Sequence, residues 1–279
     1  MIKLLAIDID GTLLDSHGRL PDVHRDALIE ASARGVEVAL VTGRAFHFTG
    51  AVVSRLPIPL TLIVNNGAVV KRKDGETELR HVLPRDAARQ ILDATRHLED
   101  SVAVVFDRAD ERQIVFERMD WTHPNRRGYY DKCKDFIARS PAPLREVLAD
   151  EDPIQVMFNG SVEPMRALVT ALRAMPDADR FSVAMTEYVQ RDFSLVDVNG
   201  ARCSKGTTLA AWVARRGWTA QDVAAIGDNL NDVEMLDFAG TAFVMGNATD
   251  ALKSRGYRPT GTNDEGGLAM AIHACLRGG

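Results

Sequence analysis

The stretch LLAIDIDGTLLDS, Leu4–Ser16, decides how this chain is read. An apolar run, Leu4–Ile7, has the length and uniform character of a strand covered on both faces, as in parallel sheets. It leads straight into two carboxylates, Asp8 and Asp10, then a glycine and a threonine. Residues two apart on a strand project to the same side. At the carboxyl end of a parallel strand, both side chains would then enter the crevice where open α/β sheets bind ligands. Two carboxylates there repel each other unless a cation or a proton intervenes. Oxygen ligands favour Mg²⁺. Gly11 permits an abrupt turn, and Thr12 is placed to hydrogen-bond within it. A surface Asp-x-Asp-Gly turn with no ligand accounts for this stretch equally well when it is taken alone.

Four further runs repeat the strand pattern: VEVALVT from Val36, LTLIVNN from Leu60, DVAAIGD from Asp222 and TAFVMGN from Thr241. Helix-like segments alternate with them. In PDVHRDALIEASARG, from Pro21, the apolar positions Val23, Ala27, Leu28 and Ala31 have helical spacing, and Gly35 supplies a stop. SKGTTLAAWVARRG and NDVEMLDFAG are two more helices, ending at Gly217 and Gly240. Strand and helix in alternation predict a doubly wound α/β core with a mostly parallel, Rossmann-like sheet.

The middle of the chain reads differently. AVVKRKDGETELRHV predicts a hairpin around Asp74–Gly75, PRDAARQILDATRHLE a helix, and SVAVVFDRADERQIVFER a second hairpin. PIQVMFNG, PMRALVTALRAM and FSVAMTEYVQRDFSLVDV then suggest a strand, a helix and a pair of strands. Hairpins imply an antiparallel sheet with helices on one face. The expectation is an inserted α+β module over 84–198, with the core formed by 1–83 and 199–279.

Composition narrows the function. A formal net charge of −5 makes nucleic acid a poor partner, because phosphate-backbone binding needs a concentrated basic surface. Three cysteines, Cys133, Cys203 and Cys275, are far apart and in no Cys-x-x-Cys pair, so they read as free thiols rather than a zinc site. No apolar run approaches the roughly 20 residues of a membrane helix, and Asp8 comes too early for a secretory signal. The expectation is a soluble, cytoplasmic protein.

Three other strand ends carry polar groups. VALVTGR ends in Thr42, Gly43 and Arg44, where a hydroxyl and an open N–H suit a phosphoryl oxygen. CSKGTT puts Lys205 at a helix start, which already favours anions. AAIGDNLND runs into Asp228, Asn229, Asn231 and Asp232. Each also has a bland reading: a Thr-Gly loop, a solvated lysine, a helix cap built from Asn231 or Asp232.

Together, DIDGT, VTGR, Lys205 and GDNLND resemble, in order, the four motifs of the haloacid dehalogenase-like phosphohydrolases. The long interval between VTGR and Lys205, with NNGA at Asn65, MGNA at Met245 and DEGGLA at Asp264, is similar to the Cof-like sugar-phosphate phosphatases. The resemblance covers almost the whole core and is thin across the insertion. No motif departs at a catalytic position. Gly267 stands where a hydrophobic residue is expected.

The resemblance implies a Mg²⁺-dependent phosphatase of small phosphorylated metabolites, sugar phosphates foremost. Asp8 resembles the nucleophile that forms an aspartyl-phosphate, and Asp10 the acid–base residue. Mg²⁺ would sit on Asp8, the Asp10 carbonyl and Asp228, with Asn229 nearby and Asp232 in support. Thr42, the Gly43 N–H, Lys205 and Asn231, joined by the Ile9 N–H, would clamp the phosphoryl group. The insertion would be a cap that selects substrate. Two alternatives stay open: a phosphomutase on sugar phosphates, and a catalytically silent regulator that binds phosphometabolites.

Other residues take the bland reading. The seven histidines, His17, His47 and His123 among them, have no metal spacing. Trp121, His123, Tyr129 and Tyr130 read as packing in the insertion. Arg126–Arg127 reads as a solvated pair, and nothing beside Cys203 suggests a reactive thiol.

Overall fold

A computed structural model describes residues 2–108 and 112–277, apart from the side chains of Tyr129, Lys132 and Cys133. The expectations for Tyr129 and Cys133, and for the tip of the second hairpin, fall outside the described residues. The chain divides into two compact units, Met1–Leu79 with Ser204–Gly279, and Arg80–Cys203.

Five strands come first: β1 (Leu4–Ile7), β2 (Glu37–Val41), β3 (Thr61–Val64), β4 (Val69–Arg72) and β5 (Thr77–Arg80). Six follow in the insertion: β6 (Val102–Val105), β7 (Ile114–Phe116), β8 (Ile137–Arg139), β9 (Gln155–Gly160), β10 (Phe181–Tyr188) and β11 (Phe193–Gly200). The last three are β12 (Val223–Gly227), β13 (Thr241–Val244) and β14 (Arg258–Pro259).

The first unit is built on one sheet in the order β14-β13-β12-β1-β2-β3-β4-β5. From β14 to β3 every pairing is parallel, with Ile7 opposite both Ile226 and Leu40. The fold is therefore the α/β class expected, a mostly parallel sheet wound on both faces. The register brings the carboxyl ends of β1, β2, β3 and β12 into one row, which is what allows residues 200 positions apart to share a site. Leu4, Ala6, Val41, Ile63, Val223 and Ala225 pack on one face against Leu209, Trp212 and Val213 of the helix Lys205–Arg215. The helices Asp22–Ala33 and Gly267–Arg277 pack against each other.

The antiparallel β3–β4 pairing and the turn through Gly75 (φ 93°) make the expected hairpin toward β5. The helix from Asp22 differs from its expectation. Val23 is half exposed, whereas His24 is fully buried beside Ala27, Leu28 and Ala31. The apolar stripe is thus shifted by one residue. The reason is a hydrogen bond: His24 Nδ1–H donates to the Leu13 carbonyl at 2.9 Å, so an aromatic ring with one satisfied polar atom replaces an aliphatic side chain.

The second unit has its own sheet, β10-β11-β9-β6-β7-β8. Alternation sends Val102, Val104, Val156, Phe158, Val196 and Val198 to one core together with Ile91, Met165, Leu168 and Leu172 of the helices Arg85–Ala94 and Val162–Arg173. Fully burying one such side chain stabilises by roughly 1.5–3 kcal/mol. Two details depart from the sequence reading. The β7–β8 pair is parallel, because the helix Pro124–Cys133 supplies the crossover; that segment is too polar to show helical periodicity. Arg126 is buried and not solvated: its guanidinium donates to Asn159 Oδ1, to the Asn159 carbonyl and to Ser101 Oγ. Arg127 stays exposed beside Asp131. Trp121 does pack, edge-on to Phe116 at 5.2 Å and against Tyr130 at 4.7 Å, and His123 lies on Phe193. Among the described residues no helix is long and apolar enough to cross a membrane.

His24 makes the stability of the first unit depend on pH. Burial pushes its pKa below the ordinary histidine value, and Nε2 has no partner among the described residues. The unfolded chain therefore binds the proton more readily, so this contribution is full above the unfolded pKa near 6.5 and is lost as pH falls below it. His24→Gln, which cannot titrate, is expected to show a smaller loss of urea stability between pH 7.5 and pH 5 than the parent. Parallel losses in the two proteins would assign the acid sensitivity elsewhere.

Candidate active site

β1 stops at Ile7, and the backbone then turns through Ile9–Leu13, closed by Leu13 N–H to the Asp8 carbonyl at 3.2 Å and Leu14 N–H to that of Ile9 at 3.0 Å. The expectation that Asp8 and Asp10 lie on a continuing strand is therefore corrected. Asp8, directly after the strand, is buried, and Asp10, inside the turn, is about two-fifths exposed. Gly11 makes the turn possible. Its φ is 86°, and a Cβ there would lie 2.3 Å from Asp228 Oδ2, so only glycine lets the loop pass this carboxylate. Thr12 does not bond within the turn but donates to Asp228 Oδ1 at 2.8 Å.

Lys205, at the start of its helix, is fully buried. A capping box places that start: Ser204 Oγ accepts from Thr207 N–H, and Thr207 Oγ1 accepts from Ser204 N–H. Lys205 Nζ donates to Asp8 Oδ1 at 2.5 Å and to Asp232 Oδ1 at 2.6 Å. Asp232 Oδ2 accepts from the N–H groups of Asp228 and Asn229, each at 3.0 Å. Asp232 thus fixes both the ammonium and the loop after β12. Asn229 caps that loop, accepting from Leu230 N–H at 2.8 Å. The helix cap expected at Asn231 or Asp232 is in fact shared by Asn229 and Asp232.

The electrostatics are those of a crowded anionic site. Burial pushes Asp8 up to about 7, with Asp232 and Asp10 adding to the push and Lys205 opposing it. Burial also lifts Asp228 well above the ordinary carboxylate range, helped by Asp8 and Asp232. For Lys205 burial works against the charge, but Asp232 and Asp8 outweigh it and hold its pKa above the ordinary lysine value. Oxygens of Asp8, Asp228 and Asp232 lie within 4.8 Å of one another, close enough to hold a cation.

The other expected residues fall on neighbouring strand ends. Thr42 is buried, and its Oγ1 accepts from Arg44 N–H at 3.1 Å. Gly43 lies against the Asn66 amide, and Asn231 Nδ2 donates to Asn66 Oδ1 at 2.9 Å. Ile9 is buried in the turn between the two aspartates. Sequence reading left Arg44 without a role. It grips Asp10 with both arms, Nε to Oδ2 at 2.7 Å and Nη2 to Oδ1 at 2.6 Å. Asn247 Nδ2, which donates to the Gly11 carbonyl at 2.8 Å, was flagged only by its MGNA context.

A parallel α/β sheet with a lysine–carboxylate cluster at its strand ends defines an enzyme-type core of the doubly wound class. The chain belongs to the haloacid dehalogenase-like hydrolases, whose family model matches residues 5–272. It is similar to a 5-amino-6-(5-phospho-D-ribitylamino)uracil phosphatase of Bacillus subtilis, 27% identical over 272 residues that span 97% of this chain and 94% of the relative. A pyridoxal phosphate phosphatase of Escherichia coli is 26% identical over 284 residues, 98% of either chain. A solved haloacid dehalogenase-like hydrolase from B. subtilis shares the fold with a TM-score of 0.82 at 24% identity, covering 98% of this chain and 99% of that one.

Asp232→Ala removes one partner of the buried ammonium and the shared acceptor of two backbone N–H groups. A loss of about 3–5 kcal/mol of unfolding free energy is expected from an uncompensated buried charge. Urea denaturation measures it, and a loss below about 1 kcal/mol would show that water re-solvates Lys205.

Proposed function

We propose that the chain is a phosphatase of small phosphorylated metabolites, working through an aspartyl-phosphate on Asp8 with Mg²⁺ as cofactor. The observation that carries this reading is the Lys205 ammonium held between Asp8 and Asp232, beside Asp228, at the carboxyl ends of adjoining parallel strands. The names of the two relatives point the same way: one acts on a phosphorylated ribityl chain, the other on pyridoxal phosphate. Both substrates are phosphate esters of primary alcohols, and we assign that class, sugar phosphates included, to this chain.

In the first half-reaction Asp8 attacks phosphorus and the bond to the ester oxygen breaks. Asp10 gives its proton to the departing alkoxide. In the second, Asp10 takes a proton from water, the water oxygen attacks phosphorus, and inorganic phosphate leaves with Asp8 restored. Arg44 holds the Asp10 carboxylate in place between the two tasks. Lys205 orients Asp8 and, with Thr42, the Gly43 and Ile9 N–H groups and Asn231, stabilises charge on the transferring group; such positioning is most of what phosphoryl transfer requires.

The residues fit a hard divalent cation. Asp8 and Asp228 are buried carboxylates that repel each other, each with one oxygen committed to Lys205 or Thr12. Asp232 has both oxygens committed within the protein. We therefore assign Mg²⁺ to Asp8, Asp228 and the Asp10 carbonyl, with Asn229 nearby and Asp232 in support. When bound, the ion offsets repulsion between Asp8 and the phosphate dianion. Every residue named belongs to the first unit, so we assign substrate selection to the inserted one.

Asp8→Asn should abolish hydrolysis while keeping the fold; activity within about tenfold of the parent, some 1.4 kcal/mol of barrier, would rule out the covalent route. Asp10→Asn should slow alkyl phosphates more than aryl phosphates, whose leaving groups need less protonation; equal losses would leave Asp10 a structural role. Mg²⁺ should raise the Tm of the parent and not that of Asp228→Asn. An equal rise in both would place the ion elsewhere.

A further inference from the structure

Immediately after β3 the backbone is left-handed at three successive residues: Asn65 (φ 50°), Asn66 (φ 52°) and Gly67 (φ 101°). The first two carry side chains, for which this region is unfavourable, and such strain persists only where surrounding structure over-determines it. The surroundings do so from two sides. Asn65 N–H donates to the Arg44 carbonyl at 2.9 Å, and Asn66 N–H to the Thr42 carbonyl at 3.0 Å. Gly67 passes so near the Ser204 carbonyl that a Cβ would sit 2.3 Å from it, and the Gly67 carbonyl accepts from Thr208 Oγ1 at 2.9 Å. The loop is thereby fastened both to the strand end carrying Thr42 and to the helix carrying Lys205.

At Asn66 this backbone delivers a buried amide. Asn66 is 1% exposed. Its Oδ1 accepts from Asn231 Nδ2 at 2.9 Å, and its Nδ2 lies 3.2 Å from where a Gly43 Cβ would stand. Asn66 therefore hydrogen-bonds one of the proposed phosphoryl contacts, Asn231, lies beside a second, Gly43, and bonds through its backbone to a third, Thr42. These contacts come from β2 and from the loop after β12, which have no strand pairing with each other.

We propose that Asn66 is a positioning residue for phosphoryl transfer: it sets the orientation of Asn231 and the distance of Asn231 from Gly43. It acts through Asn231 and does not itself react. The inference rests on the phosphatase reading above and deepens it. Misplacing a charge-stabilising donor by a fraction of its hydrogen-bond length costs rate more than affinity for the substrate, because the transition state makes the tighter contacts.

The test pairs Asn66→Gly with Asn231→Ala. Glycine accepts the left-handed backbone without strain, so the side chain is removed and the loop is kept. Asn66→Gly is expected to lower kcat at least about 30-fold with KM changed less than about threefold, to weaken inhibition by orthovanadate in proportion to kcat, and to leave the Tm near the parent's. In the Asn231→Ala background the same change should cost less than about threefold, since two residues acting as a unit are not additive. Activity of Asn66→Gly within threefold of the parent, or an undiminished penalty in Asn231→Ala, overturns the proposal. If the glycine variant does not fold, Asn66→Asp answers instead. It keeps the shape and the acceptor for Asn231 but adds negative charge beside Gly43, and should weaken orthovanadate at least tenfold; unchanged inhibition overturns the proposal. Asp8→Asn is assayed alongside. An active Asp8→Asn removes the phosphatase route itself, whereas an inert Asp8→Asn beside a parent-like Asn66→Gly removes only this inference.

Discussion

The buried ammonium of Lys205 between Asp8 and Asp232 is the interaction around which the first unit is organised. A lysine and two carboxylates in a protein interior lose hydration worth several kcal/mol per ion. Only close pairing offsets that loss, so three separate chain segments must meet within hydrogen-bond distance. Asp8 comes from the end of β1, Asp232 from the loop after β12, and Lys205 from a helix whose first turn is fixed by its own capping box. The interaction also carries an imbalance. One ammonium stands against Asp8, Asp228 and Asp232; burial raises the pKa values of Asp8 and Asp228, and the neighbouring carboxylates add to the rise. A surplus of this kind is a standing demand for a cation or a proton.

The surrounding loops are held by bonds that reach across the chain. Thr12 to Asp228, Asn247 to the Gly11 carbonyl, Arg44 to Asp10 and Asn231 to Asn66 each join different strand ends. The groups are polar side chains, with one backbone carbonyl, in the loops that follow parallel strands. There the sheet's own hydrogen bonds have run out and backbone groups need partners. The polar crown thus does two jobs, finishing the sheet and aiming the groups that the proposed chemistry uses. The strain at Asn65 and Asn66 belongs to the same economy of structure, since the row of parallel strands over-determines the loop.

The two units differ in how their sequences encode them. The first has continuous apolar runs, because parallel strands are covered on both faces. The second shows alternation and turn residues, because its sheet has one face under helices. Its helix Pro124–Cys133 escaped sequence reading, being nearly all polar, and Arg126 within it is buried by five hydrogen bonds rather than by apolar contact. Periodicity of hydrophobic residues cannot reveal a helix in which an arginine is buried by hydrogen bonds.

By itself the sequence determined the α/β class, the parallel core, the order of its strands along the chain, the hairpins of the insertion, the polar strand ends with Asp8, Asp10, Thr42 and Asp228, and the helix start with Lys205. These are local signals: strand-length apolar runs, turn glycines, and charges placed where a buried run stops. Tertiary structure alone decided the rest. It ended β1 at Ile7, before both aspartates, so Asp8 is buried directly after the strand and Asp10 sits in the turn. It sent Thr12 to Asp228 instead of to its own turn, buried His24 in place of Val23, gave Arg44 to Asp10, and put the Asn66 amide between Gly43 and Asn231. The physical reason is common to all of these. A short polar side chain chooses among many nearby partners by distance and direction, and those are set by the register of strands far apart in the chain.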